Sequence, residues 1–253
     1  MCTLLIAHDC HPTYRLVVLA NRDEFYHRAS DRLAPWAEAP EVVAGRDGQA
    51  GGTWMGASKA GRWAAITNVR EPGVRRGPAA PSRGRLVADY LRGSQSATSY
   101  VSTTFSTMQE YAGFNLLVGE MSGEVWWLSN RAAQPEKVTP GIHGLSNHLL
   151  DTPWPKVRGG CAQLKHLLTT PTEIATPQFF SLLEDPQTYP DAELPDTGVG
   201  LEVERLLSAL LIRSEAYGTV SSTVLTVTHA GAVQILERVQ LPDHNDDDVR
   251  VAW

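Results

Sequence analysis

Residues 2–24 read Cys2-Thr3-Leu4-Leu5-Ile6-Ala7-His8-Asp9-Cys10-His11-Pro12-Thr13-Tyr14-Arg15-Leu16-Val17-Val18-Leu19-Ala20-Asn21-Arg22-Asp23-Glu24. Two short apolar runs flank a polar connection at 9–12, which predicts an antiparallel hairpin of strands over 2–8 and 14–21. The second run, 16–20, is apolar on both faces, so it is expected to be a central strand covered on both sides. Its far end delivers the polar quartet Asn21-Arg22-Asp23-Glu24.

Downstream, strands are expected over 52–57 and 62–69, turned by Ser58-Lys59-Ala60-Gly61, followed by a Pro-, Gly- and Arg-rich surface loop over 71–84. The period then becomes helical in Leu86, Val87, Tyr90 and Leu91, and again in Val101, Phe105, Met108 and Ala112. Strands return at 114–121, 124–129 and 144–147. Val157, Cys161, Leu164 and Leu168 share a helical face, as do Val203, Leu206, Leu207, Leu210 and Leu211, with a short helix at 179–183 between them. A hairpin over 222–228 and 232–238, turned by Ala230-Gly231, precedes a polar tail with Asp246-Asp247-Asp248. Blocks of hairpin-joined strands alternating with blocks of helices predict the α+β class. The expected architecture is one domain over residues 1–253, a four-layer αββα sandwich of two antiparallel sheets. A doubly wound parallel sheet would need strict β-α-β alternation, which is missing.

The chain has 253 residues, 42% hydrophobic and 20% charged, with a formal net charge of −6. Folding at this length buries roughly 70–75% of the unfolded surface, so a substantial core is available. This composition excludes disordered and collagenous classes. No apolar run approaches the ~20 residues of a membrane helix, so no membrane span is expected. The N-terminus lacks a basic n-region and a long apolar segment, which predicts a cytoplasmic protein. The acidic balance argues against a nucleic-acid partner. Cys2, Cys10 and Cys161 show no C-x-x-C spacing and are expected to stay reduced. His8-Asp9-Cys10-His11 lacks a full ligand set, and the Asp246–Asp248 run lacks the Gly and Glu of a calcium loop; no metal and no resident cofactor are expected.

Excision of an initiator Met is sterically easiest before a small residue, so the mature chain can begin at Cys2. An N-terminal Cys carries nucleophile and base together, because an α-amine with a reference pKa of about 7.7–8.0 can accept the thiol proton. The alternative is a small buried hydrophobe opening an edge strand. On a strand, Asn21 and Asp23 point one way and Arg22 and Glu24 the other. Asp23 is expected to face the site, with Arg22 paired to Glu24 or another carboxylate; the quartet can equally be a buried polar network fixing the strand end. Asn68 and Asn147 each end an apolar stretch. Each is either an oxyanion donor, worth roughly 3–4 kcal/mol of barrier, or a turn residue. Gly51-Gly52-Thr53-Trp54 suits a ligand floor or a bulged strand that packs its Trp. Arg83 opens a helix near Arg70, Arg75, Arg76 and Arg85, a setting for an anionic ligand or a solvated loop.

These residues carry a resemblance. Met1-Cys2, Tyr14-Arg15-Leu16 and Ala20-Asn21-Arg22-Asp23-Glu24-Phe25-Tyr26 are similar to the opening blocks of the NRDE family, which includes the transport and Golgi organization protein 2 proteins. Gly51-Gly52-Thr53-Trp54-Met55-Gly56, Ala64-Ala65-Ile66-Thr67-Asn68, Ser82-Arg83-Gly84, Gly113-Phe114-Asn115-Leu116, Gly144-Leu145-Ser146-Asn147, Asp151-Thr152-Pro153-Trp154 and Tyr217-Gly218-Thr219 with Ser222-Thr223 continue it in order. The resemblance implies a fold like that of N-terminal-nucleophile hydrolases such as penicillin V acylase and bile-salt hydrolase. It implies Cys2, Arg22, Asp23, Asn68 and Asn147 as catalytic residues; Asn21, Glu24, Trp54, Arg83 and His148 are expected as substrate contacts from the reading of the residues themselves. Two departures stand out: those relatives space the Arg and Asp further apart, and Val220 stands where the family commonly has Arg. The expected function is an amidohydrolase or acyltransferase acting through Cys2 on a small non-peptide amide or thioester. The alternative is a non-catalytic binding and trafficking protein for haem or an acyl-lipid or acyl-CoA ligand, with His148 as a haem contact. The oligomeric state is not legible in the sequence.

Overall fold

A computed structural model describes residues 2–73, 80–242 and 247–253. In chain order the first strands are β1 (Cys2–His8), β2 (Tyr14–Phe25), β3 (Ser30–Trp36), β4 (Ala39–Asp47), β5 (Met55–Ser58) and β6 (Arg62–Asn68). Helices α1 (Gly84–Arg92) and α2 (Ala97–Thr107) follow, then β7 (Phe114–Glu120), β8 (Val125–Ser129), β9 (Glu136–Lys137) and β10 (Gly141–Leu145). The chain closes with α3 (Pro155–Leu167), α4 (Thr176–Leu183), α5 (Leu201–Leu207), β11 (Tyr217–Thr228), β12 (Val233–Val239) and β13 (Val249–Ala252).

Among the described residues the strands form two antiparallel sheets, ordered β10-β1-β2-β11-β12-β13 and β3-β4-β5-β6-β7-β8-β9. β2 lies between β1 and β11, and its residues 16–20 are buried, as an apolar run on both faces requires. Alternation assigns each strand's two faces. Leu4, Ile6, Leu16, Val18 and Ala20 meet Trp63, Ala65 and Leu117 between the sheets. Leu5, Val17 and Leu19 meet Leu164, Phe179 and Phe180 of α3 and α4. On the opposite outer face, Ala64, Ile66 and Leu116 meet Leu86, Val87 and Tyr90 of α1 and Val101 of α2. The result is the four-layer αββα sandwich expected from the order of elements.

Local chemistry explains the element ends. The Ser96 side chain caps α2 by accepting from the Ser99 amide at 3.2 Å, and Pro155 opens α3 where its missing N–H costs nothing. Gly231, at φ 91°, turns the β11–β12 hairpin.

Several local expectations are corrected. β3 and β4 were not anticipated; β3 is an edge strand with Asp31, Arg32 and Pro35, which disguises its alternation. The helix expected through Leu211 ends at Leu207, because the Leu210 carbonyl is taken by Asn21 Nδ2 at 2.9 Å and the Leu211 amide by the Asp185 carbonyl at 2.9 Å. Ala112 falls beyond α2, and Ser146 and Asn147 beyond β10. The polar tail ends in β13, which pairs with β12, and Asp248 accepts two bonds from Arg238 at 2.8 Å; Asp246 lies outside the described residues.

Gly52 sets the distance between the loop after β4 and the start of α1. A Cβ there would lie 2.5 Å from the Gly84 carbonyl carbon and 2.7 Å from its oxygen, and both are backbone. Gly52→Ala is therefore expected to destabilise the fold by about 1–3 kcal/mol through overpacking, read as a lower midpoint in chemical denaturation. An unchanged midpoint would show that α1 shifts without cost.

Candidate functional site

The β1–β2 register pairs Cys2 with Arg22, Thr3 with Asn21 and Leu4 with Ala20. Cys2 and Arg22 therefore share the face that carries Leu4 and Ala20 between the sheets. Arg22 thus lies on the side of the Cys2 thiol, whereas Asp23, expected to face the site, sits on the other face of β2 yet still lines the cavity onto which Cys2 opens. Asn21 and Asp23 face the helical layer. Asn21 Nδ2 donates to the Leu183 and Leu210 carbonyls at 2.8 and 2.9 Å, its Oδ1 accepts from Ser222 at 2.6 Å, and Asp23 Oδ1 accepts from Thr219 at 2.8 Å.

Half-buried Cys2 opens onto a cavity of about 430 Å³ lined also by Arg22, Glu24, Asp47, Trp54, Asn68 and Arg83, and bordered by Asp23. The Arg22 side chain is only 5% exposed. It donates to Ser30 at 3.2 Å, lies 3.7 Å from Asp47, and stacks 4.1 Å above the Trp54 ring. Arg28 holds Asp47 through two bonds of 2.9 and 3.1 Å. Burial pulls the Asp47 carboxyl upward, but the bonds from Arg28 and from the Ala50 and Gln49 amides outweigh it and hold the group below the ordinary carboxylate value. Burial pushes the Cys2 thiol up, with the charge of Asp23 adding and that of Arg22 opposing. Burial likewise raises Asp23, against Lys156 and the Thr219 bond. Arg83 bonds the Gly113 carbonyl at 2.8 Å and has no carboxylate partner among the described residues.

The two asparagines differ. Asn68 lines the cavity. Asn147 is fully buried, does not line it, and donates to the Asn68 carbonyl at 2.9 Å. It belongs to a polar seam joining the sheets: Thr67 donates to the Ser146 carbonyl at 2.6 Å, Asn115 to the His148 carbonyl at 2.8 Å, and the Arg70 amide to the Asn147 carbonyl at 2.8 Å. Ser146 in turn donates to the Cys2 carbonyl at 3.3 Å. His148 lies outside the cavity, bonded to Thr152 at 2.9 Å and 5.8 Å from the Trp154 ring.

Trp54 and Arg28 also wall a second cavity of about 220 Å³, lined by Val220, Ser221 and buried Glu237. Val220 lines this second cavity and not the one onto which Cys2 opens. Arg85 is exposed, Arg70 is bonded to Glu204 at 2.8 Å, and Arg75 and Arg76 lie outside the described residues.

Sequence reasoning passed over Lys156 and Glu204. A signal existed for the lysine: residues 156, 160 and 164 fall on one helical face, and Gly160 and Leu164 are buried with it.

The sequence model of the Transport and Golgi organisation 2 family matches residues 1–241. The bovine Transport and Golgi organization protein 2 homolog is 35% identical over 260 residues, covering 95% of this chain and 94% of its own. The Drosophila melanogaster Transport and Golgi organization protein 2 is 29% identical, covering 94% and 91%. Among solved structures, a mutant conjugated bile acid hydrolase from Clostridium perfringens is similar in fold at 8% identity, with a TM-score of 0.52 over 99% of this chain and 92% of its own. This chain thus shares the fold of that hydrolase, with two antiparallel sheets between helical layers. By motif order, identity and coverage, the chain belongs to the Transport and Golgi organisation 2 family.

Proposed function

We propose that the protein is an N-terminal-nucleophile amidohydrolase or acyltransferase acting on a small non-peptide amide or thioester. The observation that carries this reading is the opening of Cys2, at the start of β1, onto a polar cavity shared with Arg22, Asn68 and Arg83. In the processed chain the Cys2 α-amine takes the thiol proton, and the sulfur attacks the substrate carbonyl. Asn68 donates to the oxyanion, and Asn147 fixes the Asn68 backbone through its carbonyl. The α-ammonium returns its proton to the departing amine or thiol. Water or an acceptor then takes the acyl group from sulfur, and the thiol is restored. Asp23 orients the α-amine.

The cavity volume suits a small ligand. Its lining of guanidinium, carboxylate and amide groups supports turnover of a polar acyl compound over carriage of haem or a long acyl chain, and His148, the residue expected to meet haem, lies elsewhere. The test is a chain prepared with Cys2 as its first residue and incubated with an acyl-thioester probe. Intact mass should rise by one acyl group, and peptide mapping should find it on Cys2. An acyl group found equally on exposed Cys10, or none at all, would remove Cys2 as the nucleophile.

A further inference from the structure

A second polar cluster lies behind β2, on its helical side. Lys156, in the first turn of α3, is 2% exposed, and its Nζ has no hydrogen-bond partner among the described residues. The charged and titratable groups facing it are Cys2 of β1, Asp23 of β2, Arg70 beyond β6 and Glu204 of α5. Arg70 and Glu204 bond each other at 2.8 Å, with side chains 5% and 4% exposed, so each already answers the other's charge. A cavity of about 10 Å³ touches Arg70, Lys156 and Glu204, close to the minimum for one water. Tyr217 of β11, which faces Asp23 and Cys2, also buries its hydroxyl without a partner.

Burying an ammonium without hydrogen bonds costs several kcal/mol, and an apolar side chain at 156 would pack at less expense. The position of this charge is therefore informative: on the helical side of the sheet it faces Asp23 and Cys2 at the open end of the β1–β2 pair. We propose that Lys156 is a positioning residue for the Cys2 nucleophile, its positive charge on the helical side of the sheet favouring the neutral α-amine and offsetting part of the burial that holds the thiol protonated. This rests on Cys2 acting as the nucleophile.

The sign follows from like and unlike charges. A neighbouring ammonium disfavours the α-ammonium and so frees the amine to act as base; it also favours the thiolate over the thiol. Both effects bring the onset of Cys2 reactivity to lower pH. Asp23 opposes them, since its carboxylate favours the α-ammonium and disfavours the thiolate. Burial lowers Lys156 itself to about 8, which leaves it mostly charged at pH 7 and lets the effect fade above that value.

The experiment uses the chain beginning at Cys2 and follows alkylation of Cys2 by iodoacetamide across the neutral pH range, with peptide masses separating Cys2 from Cys10 and Cys161. In Lys156→Met the midpoint of the pH–rate profile is expected to rise by about one unit, and the rate below it to fall about tenfold. Lys156→Arg, which keeps the charge, should restore the parent profile. Circular dichroism confirms folding, and Lys156→Gln replaces the Met variant should that one not fold. An unchanged midpoint in a folded neutral variant overturns the role of Lys156 while leaving Cys2 as nucleophile. If Cys2 in the parent chain alkylates no faster than Cys10, the nucleophile reading itself falls, and this inference with it.

Discussion

Cys2→Ser is expected to slow transfer from an acyl-thioester probe about a thousandfold, with little change in thermal unfolding. The substitution keeps the size of a half-buried side chain at the start of β1, so the hairpin and the cavity are preserved. What changes is the nucleophile: an amine can draw a proton from a thiol far more readily than from an alcohol. Asn68→Ala belongs to the same series. It should cost about a hundredfold in rate if its amide meets the oxyanion, and little in stability, because its side chain makes no hydrogen bond among the described residues while its backbone carbonyl still accepts from Asn147. Single-turnover rates with the probe give both numbers. A Cys2→Ser protein that acylates within tenfold of the parent would sink the mechanism.

The second large effect concerns stability. Glu204→Ala should destabilise the protein by about 3–5 kcal/mol, because it strands the Arg70 guanidinium in a closed environment. Burial already pulls Arg70 below its ordinary value even with Glu204 beside it, and no accessible pH neutralises an arginine. Glu204 also accepts from the Thr197 amide at 2.9 Å and from its hydroxyl, so the loop before α5 loses its anchor too. For a chain of 253 residues this corresponds to roughly 10 °C in Tm by calorimetry. Asp191→Asn is the control. Its pair with Arg205 is exposed, and surface pairs of that kind contribute little, so its Tm should stay with the parent. Equal shifts in the two variants would show that burial is not what makes the Arg70–Glu204 pair matter.

Much of the fold was legible because alternation, helical period and turn chemistry are local. The doubly apolar run at 16–20 announced a covered central strand, and β2 is one. The helical spacing at 86–91 and 157–164 announced α1 and α3. Gly51-Gly52 announced a close backbone approach, which Gly52 makes against Gly84. The failures share one cause, tertiary bonds that override local pattern. Asn21 takes the Leu210 carbonyl and stops a helix that the leucines alone would continue. β3 gains its strand conformation by pairing with β4 despite its charges and proline.

The candidate site divides in the same way. From its residues alone the chain specified a thiol at the head of a strand, a polar quartet at the end of the next, and asparagines closing two later stretches. It also specified the layers that would hold them, since a two-residue period states that neighbours face opposite ways. It did not specify which neighbour faces the thiol. That depends on register, the pairing of Cys2 with Arg22 across two strands, and a shift of one residue would exchange Arg22 for Asp23. Bringing Asn147 onto the Asn68 carbonyl and Lys156 behind Cys2 required closing loops of 79 and more residues. Contacts of that span exist only once the sheets and helices have packed.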